Sequence, residues 1–478
     1  MAISTSRSDS AWVLALASTA NLMVGLDALV VSTALTEIGR ELGASIEALE
    51  WTVNAYALSF AAFLLTASAL GDRFGRRRLF VAGLLLFVAA SSACAVAPSI
   101  GWLVAARAVQ GLGAAIVMPL ALAQVSAAFP PERRGWALGI YSSVAGLSAV
   151  LGPIVGGVVT EGLAWRWIFW VNLPIGLGAA ALAVTRLRET FGAREAIDLP
   201  GLLLAAGGAF GLVWGLVRAD AAGWGSFEVL SSLVGGASLV LLLVVWEFRS
   251  VHPMIPMRFF QLRAFAAGNA AMFFLNGAFM GAIFFMAQFQ QAALGAGPLT
   301  AGLRLLPWGV AVILGARNAV EFSKRFGDAS AIALGLAVQA AGLAWIALVA
   351  DPGMAYAGMV PPMILTGVGF AVAVTIAQKT VVGAVATPDI GKASGALSAI
   401  RQLGGAFGVA LTVAVFARAG SHATPLAFSQ GFAAAIGVAA MLSLAGAGAW
   451  LLISGTRGKA RIASAADADL LSSLGDEA

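Results

Sequence analysis

Apolar residues run along this chain in long blocks. They show neither the two-residue alternation of a half-buried strand nor the single stripe of a soluble helix. A helix needs about 20 consecutive apolar residues to cross the bilayer core. Fourteen blocks of that kind follow one another, at 12–34, 51–71, 79–98, 102–126, 136–159, 165–185, 199–218, 228–247, 265–289, 301–321, 330–350, 354–377, 394–417 and 429–453. The connections between them are too short for a soluble domain. The opening stretch MAISTSRSDS is polar, and the block after it has span length with no cleavage site before the next one. It is therefore read as a retained first helix and not as a signal peptide. The Ser-, Ala- and Asp-rich tail, 455–478, is expected to be disordered.

Composition narrows the class. Hydrophobic residues make up 60% of the 478, and charged residues 11%, where a soluble domain carries about 25%. Soluble, disordered and fibrous proteins are excluded, and an all-α polytopic membrane protein is left. The net charge of +5 would suggest nucleic acid in a soluble protein, but the placement of the charges gives it another meaning. Lys and Arg collect on the cytoplasmic side of membrane proteins. The termini and the even-numbered connections hold 21 of them, and the odd-numbered connections hold four: Arg40, Arg166, Arg218 and Arg418. Both termini are thus expected in the cytoplasm, in a multi-pass protein of the plasma membrane (a bacterial inner membrane), with no nucleic-acid partner. Cys94 stands alone, and His252 and His422 lie far apart. No intramolecular disulfide, metal site or bound cofactor is expected.

Two short matches share one displacement. Arg73-Phe74-Gly75 and Arg325-Phe326-Gly327 are 252 residues apart, as are Leu151-Gly152 and Leu403-Gly404. This maps span n onto span n+8. The chain then divides into a tail (1–11), a six-helix half (12–185), two inserted helices with their loop (186–247), a second six-helix half (248–454) and a tail (455–478). Two parallel six-helix halves are a transporter plan with the substrate site near the midplane between them.

With the charges assigned to connections, block ends and tails set aside, four charged residues remain: Asp27, Arg107, Arg304 and Arg401. An ionisable group at a helix centre costs at least ~2.5 kcal/mol and is a functional-site hypothesis by default. Asp27 is the only acid within a span core. Span 1 runs outward and span 4 inward, which puts Asp27 and Arg107 at similar depth, able to face one cavity. Burial and a nearby guanidinium act in opposite senses on a carboxyl. A group balanced between them can take a proton from one side and release it to the other. The alternative is a purely structural tie between helices. Arg304 is expected to reach up to the bilayer surface, and Arg401 to bond backbone carbonyls or, as the less favoured reading, to contribute to the electrostatics of the cavity.

Several motifs lie in order along the chain. Leu26-Asp27 with Ala34-Leu35 closes span 1, and Ser68-Ala-Leu-Gly-Asp72-Arg73-Phe-Gly75-Arg76-Arg77-Arg78 follows span 2. Leu103-Val-Ala-Ala-Arg107-Ala-Val-Gln110-Gly111-Leu-Gly113-Ala-Ala115 opens span 4. Gly146 and Leu151-Gly152-Pro153-Ile-Val-Gly156-Gly157 lie in span 5, and Trp165-Arg166-Trp167-Ile-Phe169-Trp170-Val-Asn172-Leu-Pro174 opens span 6. Together they resemble the signature motifs of the major facilitator superfamily, and fourteen spans narrow the resemblance to its drug–proton antiporter branch. The resemblance implies the major facilitator fold: two six-helix halves plus two inserted helices, 14 transmembrane helices in all. It also implies that Asp27 carries the proton and that Arg107 lies beside its path.

The motifs have physical readings as well. Asp72, Arg73, Gly75 and Arg76 suit an ionic latch at the cytoplasmic helix ends that breaks as the halves rock; plain positive-inside topology also explains the arginines. Gly152, Gly156 and Gly157 permit close helix contact and Pro153 a bend, in what the family calls the antiporter motif. The chain departs from the family pattern at Ser68, Leu29, Ser32 and Thr36. In the second-half copy, Lys324 stands where an acid is expected and Glu321 where a base is common, so a latch of reversed polarity is expected there.

The substrate side is less marked. Asn54, Tyr56 and Gln110 are candidate pocket contacts. Span 9 holds Met272, Phe273, Phe274, Asn276, Phe279, Phe284, Phe285, Met286 and Gln288, which suit bulky, partly apolar ligands but also ordinary helix packing. The function expected is proton-coupled export of small amphiphilic compounds by a monomer, driven by the proton gradient. A dedicated exporter of one metabolite or antibiotic is the alternative, and a sensor of the same fold a further one. An ATP-driven pump is disfavoured, because Gly391-Lys392 is followed by Ala393 and no phosphate-binding loop is present. An enzyme is disfavoured because it would need several convergent acids or histidines at one depth.

Overall fold

The computed structural model describes residues 7–191, 198–251, 253, 255–385 and 389–454. His252 and the tail 455–478 lie outside the described residues, as do the side chains of Asp72, Gly146 and Pro153. Among the described residues the secondary structure is helical throughout: α1 (Arg7–Leu42), α2 (Ile46–Phe74), α3 (Arg76–Ala95), α4 (Ile100–Ala128), α5 (Pro131–Gly162), α6 (Trp167–Trp170), α7 (Asn172–Arg186), α8 (Leu199–Ala222), α9 (Phe227–Arg249), α10 (Arg263–Ala292), α11 (Pro298–Arg304), α12 (Leu306–Phe326), α13 (Asp328–Val349), α14 (Val360–Gly383), α15 (Ile390–Ala419) and α16 (Pro425–Ser454). Twelve stretches are long and apolar enough to cross a membrane. With α2 and α5, of 29 and 32 residues, they account for the fourteen blocks of the sequence. The protein is a polytopic membrane protein.

The helix ends follow from local chemistry. Ser45, Ser99, Asp198 and Ser226 cap α2, α4, α8 and α9 by accepting from backbone N–H groups of the first turn, which satisfies donors the helix itself cannot. Two spans are built in pieces: α6 and α7 are separated by Val171, and α11 and α12 by Leu305. Proline in the first turn of α11 and of α12 suits a helix start, where no N–H is missed.

The repeat recurs in three dimensions. Gly75 ends α2 with φ +109°, and Gly327 ends α12 with φ +84°, both in a region that L side chains rarely adopt. The arginine before each sits over the following ring, Arg73 over Phe74 and Arg325 over Phe326, at 5.6 Å in both cases. Gly152 and Gly156 of α5 lie against Leu29 and Thr33 of α1, while Gly404 and Gly408 of α15 lie against Phe273 and Gly277 of α10. The packing partners are thus repeated along with the motif.

α1, α2, α3, α4, α5 and α7 pack among themselves, as do α10, α12, α13, α14, α15 and α16. The seam between the two groups is made by α2 on α15, α5 on α11 and α12, and α1 on α10. The pair α8–α9 rests through α8 on both α2 and α15.

The buried apolar residues divide unevenly along the bundle. Take as proximal the end where α1 begins and α16 ends. At the distal end one core is shared across the seam, joining Val30, Leu35 and Ile38 of α1 to Phe285 and Phe289 of α10, Trp308 of α12 and Phe432 of α16. Toward the proximal end there are two separate cores. One holds Leu16, Phe60, Phe87 and Leu120, and the other Phe265, Leu275, Leu336 and Leu397. The seam is therefore sealed distally. Gln291 Nε2 adds a hydrogen bond across it to the Thr33 carbonyl at 3.1 Å, and Glu161 of α5 accepts from Leu299 N of α11 at 2.8 Å.

Candidate functional site

Asp27 lies midway along α1 and is 1% exposed, as is Arg107 on α4. Arg107 Nη1 donates to Asp27 Oδ2 at 2.5 Å and to Gln110 Oε1 at 2.8 Å. Arg107 Nε donates to the Thr52 carbonyl of α2 at 3.0 Å. Its guanidinium lies 4.2 Å from the centroid of the Tyr56 ring. The second carboxylate oxygen, Oδ1, accepts from Gln110 Nε2 and from Asn172 Nδ2, each at 2.8 Å. Asn172 also donates to Ser91 Oγ at 3.0 Å, and Ser91 donates to the Phe169 carbonyl at 2.8 Å. Cys94 Sγ completes the shell, 3.6 Å from Gln110 Oε1.

Five elements converge here for identifiable reasons. Arg107 and Gln110 are three apart on one helix face. Gly111 lets the α4 backbone reach the Tyr56 carbonyl of α2, and Gly113 lets it reach Phe87 of α3. Gly152 and Gly156 bring α5 onto α1 just past Asp27, where side chains at those positions would meet Leu29, Val30 and Thr33. The turn before α7 is anchored distally. Trp165 Nε1 donates to Glu41 at 2.6 Å, and Arg166 pairs with the same carboxylate and lies over the Trp165 ring. That anchor sets the position of Asn172 at the start of α7.

The chemistry of the cluster is that of a carboxylate held by donors. An ionised carboxylate is acceptor-only, with about four lone-pair sites, and three of the donors here are aimed at it. A buried ion pair lasts only when such extra hydrogen bonds supplement the Coulomb attraction. A proton arriving on Asp27 would put a hydrogen where Arg107 or an amide now donates. Protonation and the Arg107 contact therefore compete for the same oxygens.

The expected pairing of Asp27 with Arg107 is present, and Gln110 and Tyr56 belong to the same cluster. They do not line an open pocket: Tyr56 is buried over Arg107, and Gln110 bridges Arg107 and Asp27. Asn54 is also buried, on another face of α2, and donates to Glu50 Oε1 at 2.9 Å. Asn172, Ser91 and Thr52 were not singled out from the sequence. Asn172 stands in a quoted motif, and that was the only signal for it. Glu50 corrects the expectation that Asp27 is the only acid buried in a span. It is fully buried, because α2 begins five residues before the apolar block does.

Other expected residues fall elsewhere. Arg304 is half-buried, donates to Gln290 Oε1 at 3.2 Å and lies 5.1 Å from the Tyr356 ring centroid. Arg401 is half-buried, and its carbonyl accepts from Asn276 Nδ2 at 2.8 Å. Most of the α10 aromatics pack inside the second half, with Phe279 stacked on Phe370 and Phe289 on Phe432, both at 4.1 Å.

In the loop motif, Arg77 N donates to Glu189 Oε1 at 2.9 Å and Arg78 N to Glu189 Oε2 at 3.3 Å. Glu189 thus caps the start of α3, with the side chains of Arg77 and Arg78 3.7 and 3.6 Å from it. Arg73 is exposed, and Arg76 N donates to the Thr190 carbonyl at 2.9 Å. In the second-half copy, Glu321 and Lys324 pair with each other at 3.2 Å, both exposed. The contact between helices there is Lys379 of α14 with Asp328 of α13, at 2.9 Å. Gly157 meets the other half: a Cβ there would lie 2.6 Å from the Pro298 carbonyl oxygen and 2.8 Å from Leu299 Cα.

Comparison with known proteins gives a consistent result. A family model described as Major Facilitator Superfamily matches residues 17–409. The tetracenomycin C resistance and export protein of Streptomyces glaucescens is 33% identical, over 82% of this chain and 73% of its own. The cephamycin export protein CmcT of Amycolatopsis lactamdurans is 36% identical over 84% of each chain. The puromycin resistance protein pur8 of Streptomyces alboniger is 34% identical over 92% of this chain and 91% of its own. Among solved structures, a bacterial homologue of the human lysosomal transporter Spinster shares the fold. It has a TM-score of 0.68 at 16% identity and covers 95% of this chain and 99% of that one.

Proposed function

The chain belongs to the major facilitator superfamily and transports small compounds, and from that premise we propose that it is a proton-coupled antiporter exporting amphiphilic drugs. The observation that carries the proposal is the buried Asp27–Arg107 pair with Gln110 and Asn172 on the same carboxylate. The distribution of Lys and Arg supports the proximal end as cytoplasmic and the plasma membrane as the site. On that orientation the seam is closed toward the outside, with the donors of Arg107, Gln110 and Asn172 standing on Asp27.

The cycle follows from the competition at Asp27. Substrate enters from the cytoplasm or inner leaflet while Asp27 is ionised and bound to Arg107. The halves rock, the distal seam opens and substrate leaves outward. A proton from outside then takes Asp27 from Arg107. Return to the distally closed state restores the donors around Asp27 and drives the proton inward. Gly157 and Glu161 of α5, set against α11, form the distal part of the gate, and the Glu189 cap holds the cytoplasmic loop of the first half. The protein acts as a monomer with no cofactor beyond the proton gradient, and its units are the five segments set out from the sequence.

The test is efflux from energised vesicles, with and without a protonophore. Asp27→Asn is expected to abolish gradient-driven export at normal expression; export at the wild-type rate with full protonophore sensitivity would remove the assignment. A second reading, export of a single antibiotic, is favoured by relatives named for tetracenomycin C and cephamycin export. A substrate panel separates the two: one compound moved, or many.

A further inference from the structure

The polar residues of α15 are unevenly satisfied. Arg401 is half-buried, and its carbonyl accepts from Asn276 Nδ2. Its guanidinium, with five N–H donors, finds no acceptor among the described residues, backbone carbonyls included. The other two arginines buried in spans differ. Arg107 is tied to Asp27, Gln110 and Thr52, and Arg304 to Gln290. Ser398 stands three residues before Arg401 and four before Gln402, so the three hold adjoining positions on one side of the helix. Ser398 and Gln402 are also half-buried, and neither makes a side-chain hydrogen bond among the described residues.

That side faces the space between the halves. Ala406 and Ala410 set the opposite face of α15 against Ala209 and Val213 of α8 and Leu58 of α2. Ala410, nine residues from Arg401, lies about 180° round the helix at about 3.6 residues per turn. Gly405 is one turn distal of Arg401, and a Cβ there would lie 2.8 Å from Asn276 Nδ2 and 3.1 Å from Met280 Cγ. Gln291 lies three turns on from Met280 along the same face of α10, and it bonds Thr33 of the first half. Val409, one turn beyond Gly405, belongs to the core shared across the seam. Arg401 therefore lies two turns below the distal seal, where the halves have separate cores.

Its level is that of the Asp27 cluster. The 252-residue displacement sets Gly404 on Gly152, and Gly152 lies against Leu29. Leu29 is about 3 Å past Asp27 along α1, and Arg401 about 4.5 Å before Gly404 along α15. The repeat thus places Asp27 and Arg401 at nearly one depth in opposite halves, where transporters of this plan bind substrate. The charge of Asp27 is matched by Arg107, whereas Arg401 has no counterion among the described residues.

We propose that Arg401 binds the anionic group of the transported compound, and that the substrates are amphiphilic organic anions bearing a carboxylate or sulfonate. The guanidinium fork can meet two oxygens of such a group. Ser398 and Gln402 supply neutral donors beside it. Met280, half-buried one turn distally, has a flexible thioether side chain that adapts to an apolar body. The inference rests on the reading of the protein as an exporter of amphiphiles, but binding tests it without transport.

The probes are 8-anilinonaphthalene-1-sulfonate and N-phenyl-1-naphthylamine, one ring system with and without the anion. Their affinities are read by fluorescence titration of the transporter in phosphatidylcholine nanodiscs, with empty nanodiscs subtracted. Arg401→Gln should weaken binding of the sulfonate about tenfold or more, as the loss of a hydrogen bond to a charged group does, and leave the amine unchanged. Ser398→Glu keeps Arg401 but gives it an internal carboxylate three residues away, and it should weaken the sulfonate likewise. Sulfonate affinity unchanged in either variant, or both probes weakened equally in Arg401→Gln, overturns the inference. So does a difference between wild type and Arg401→Gln that vanishes in phosphatidylglycerol nanodiscs, which would make the anion on Arg401 a lipid headgroup. Gradient-driven export persisting in Asp27→Asn would instead overturn the proposed function and leave the probe affinities as measured.

Discussion

Asn172 Nδ2 donates to Asp27 Oδ1 at 2.8 Å and to Ser91 Oγ at 3.0 Å, which ties the first turn of α7 to the middle of α1 and to α3. A hydrogen bond to a charged acceptor contributes about 1.5–3 kcal/mol. Asn172→Ala is therefore expected to lower proton-driven efflux by about tenfold or more, while the protein still folds and inserts. Asn172→Asp should be worse, since it sets a second carboxylate beside Asp27. Efflux rates normalised to membrane-inserted protein decide this; equal rates for Asn172→Ala and wild type would place Asn172 outside the working cluster.

Arg107 makes demands that a lysine does not meet. One guanidinium reaches Asp27, Gln110 and the Thr52 carbonyl and also lies over Tyr56. An ammonium has the charge but not the planar fork. Arg107→Lys should thus lose most export. Arg107→Gln leaves Asp27 buried without its cation, and breaking a buried pair in this way costs about 3–5 kcal/mol. Asp27→Asn added to Arg107→Gln should recover much of that stability without recovering transport. Thermal unfolding in detergent reads the first part and vesicle efflux the second. A double variant no more stable than Arg107→Gln would mean that the pair is not coupled.

Much of this site was legible in one dimension, and the exceptions have physical causes. Asp27 and Arg107 stood out because charge is costly in a bilayer, and the directions of α1 and α4 set them at one depth. The 252-residue displacement set Gly75 and Gly327 at equivalent places after spans 2 and 10, and both glycines have positive φ. Asn172 and Ser91 carry no charge, and only the packing of α7 and α3 on α1 gives them a role. Glu50 was missed because the apolar block starts at Trp51, whereas the helix starts at Ile46. Burial extends past the edge of the hydrophobic pattern. Glu189 was missed because its partners, the N–H groups of Arg77 and Arg78, lie more than a hundred residues away.

Gly157 is the position where one side chain should change the conformation. Its missing Cβ would lie 2.6 Å from the Pro298 carbonyl oxygen and 2.8 Å from Leu299 Cα, both backbone atoms that cannot rotate away. Gly157→Trp should hold the distal seam apart. In a Cys94→Ser background, a cysteine placed at Gln291, which now bonds Thr33 across the seam, should react faster with a membrane-impermeant maleimide when Gly157→Trp is added. Glu161, which accepts from Leu299 N, gives a milder form of the same test: Glu161→Ala should raise the labelling rate less. No increase with Gly157→Trp would show that α5 and α11 do not gate the distal side.

The two turn glycines occupy equivalent places in the repeat but should respond differently to the same change. Gly327 has φ +84° and ψ 150° with open space around it, so Gly327→Ala faces only backbone strain, about 1–3 kcal/mol for a residue held in that sparsely populated region. Gly75 has φ +109°, and a Cβ there would lie 2.7 Å from the Glu189 carboxylate. That carboxylate accepts from Arg77 N and Arg78 N and sits at the positive end of α3, where an anion is favoured. Gly75→Ala must therefore add displacement of the cap to the same backbone strain, and it should lower the unfolding temperature more than Gly327→Ala. Glu189→Ala removes the cap alone and should cost about 1 kcal/mol. Adding it to Gly75→Ala should then cost less than the two changes taken separately, because the clash and the cap involve one group. Fully additive losses would mean that the alanine is accommodated without moving Glu189.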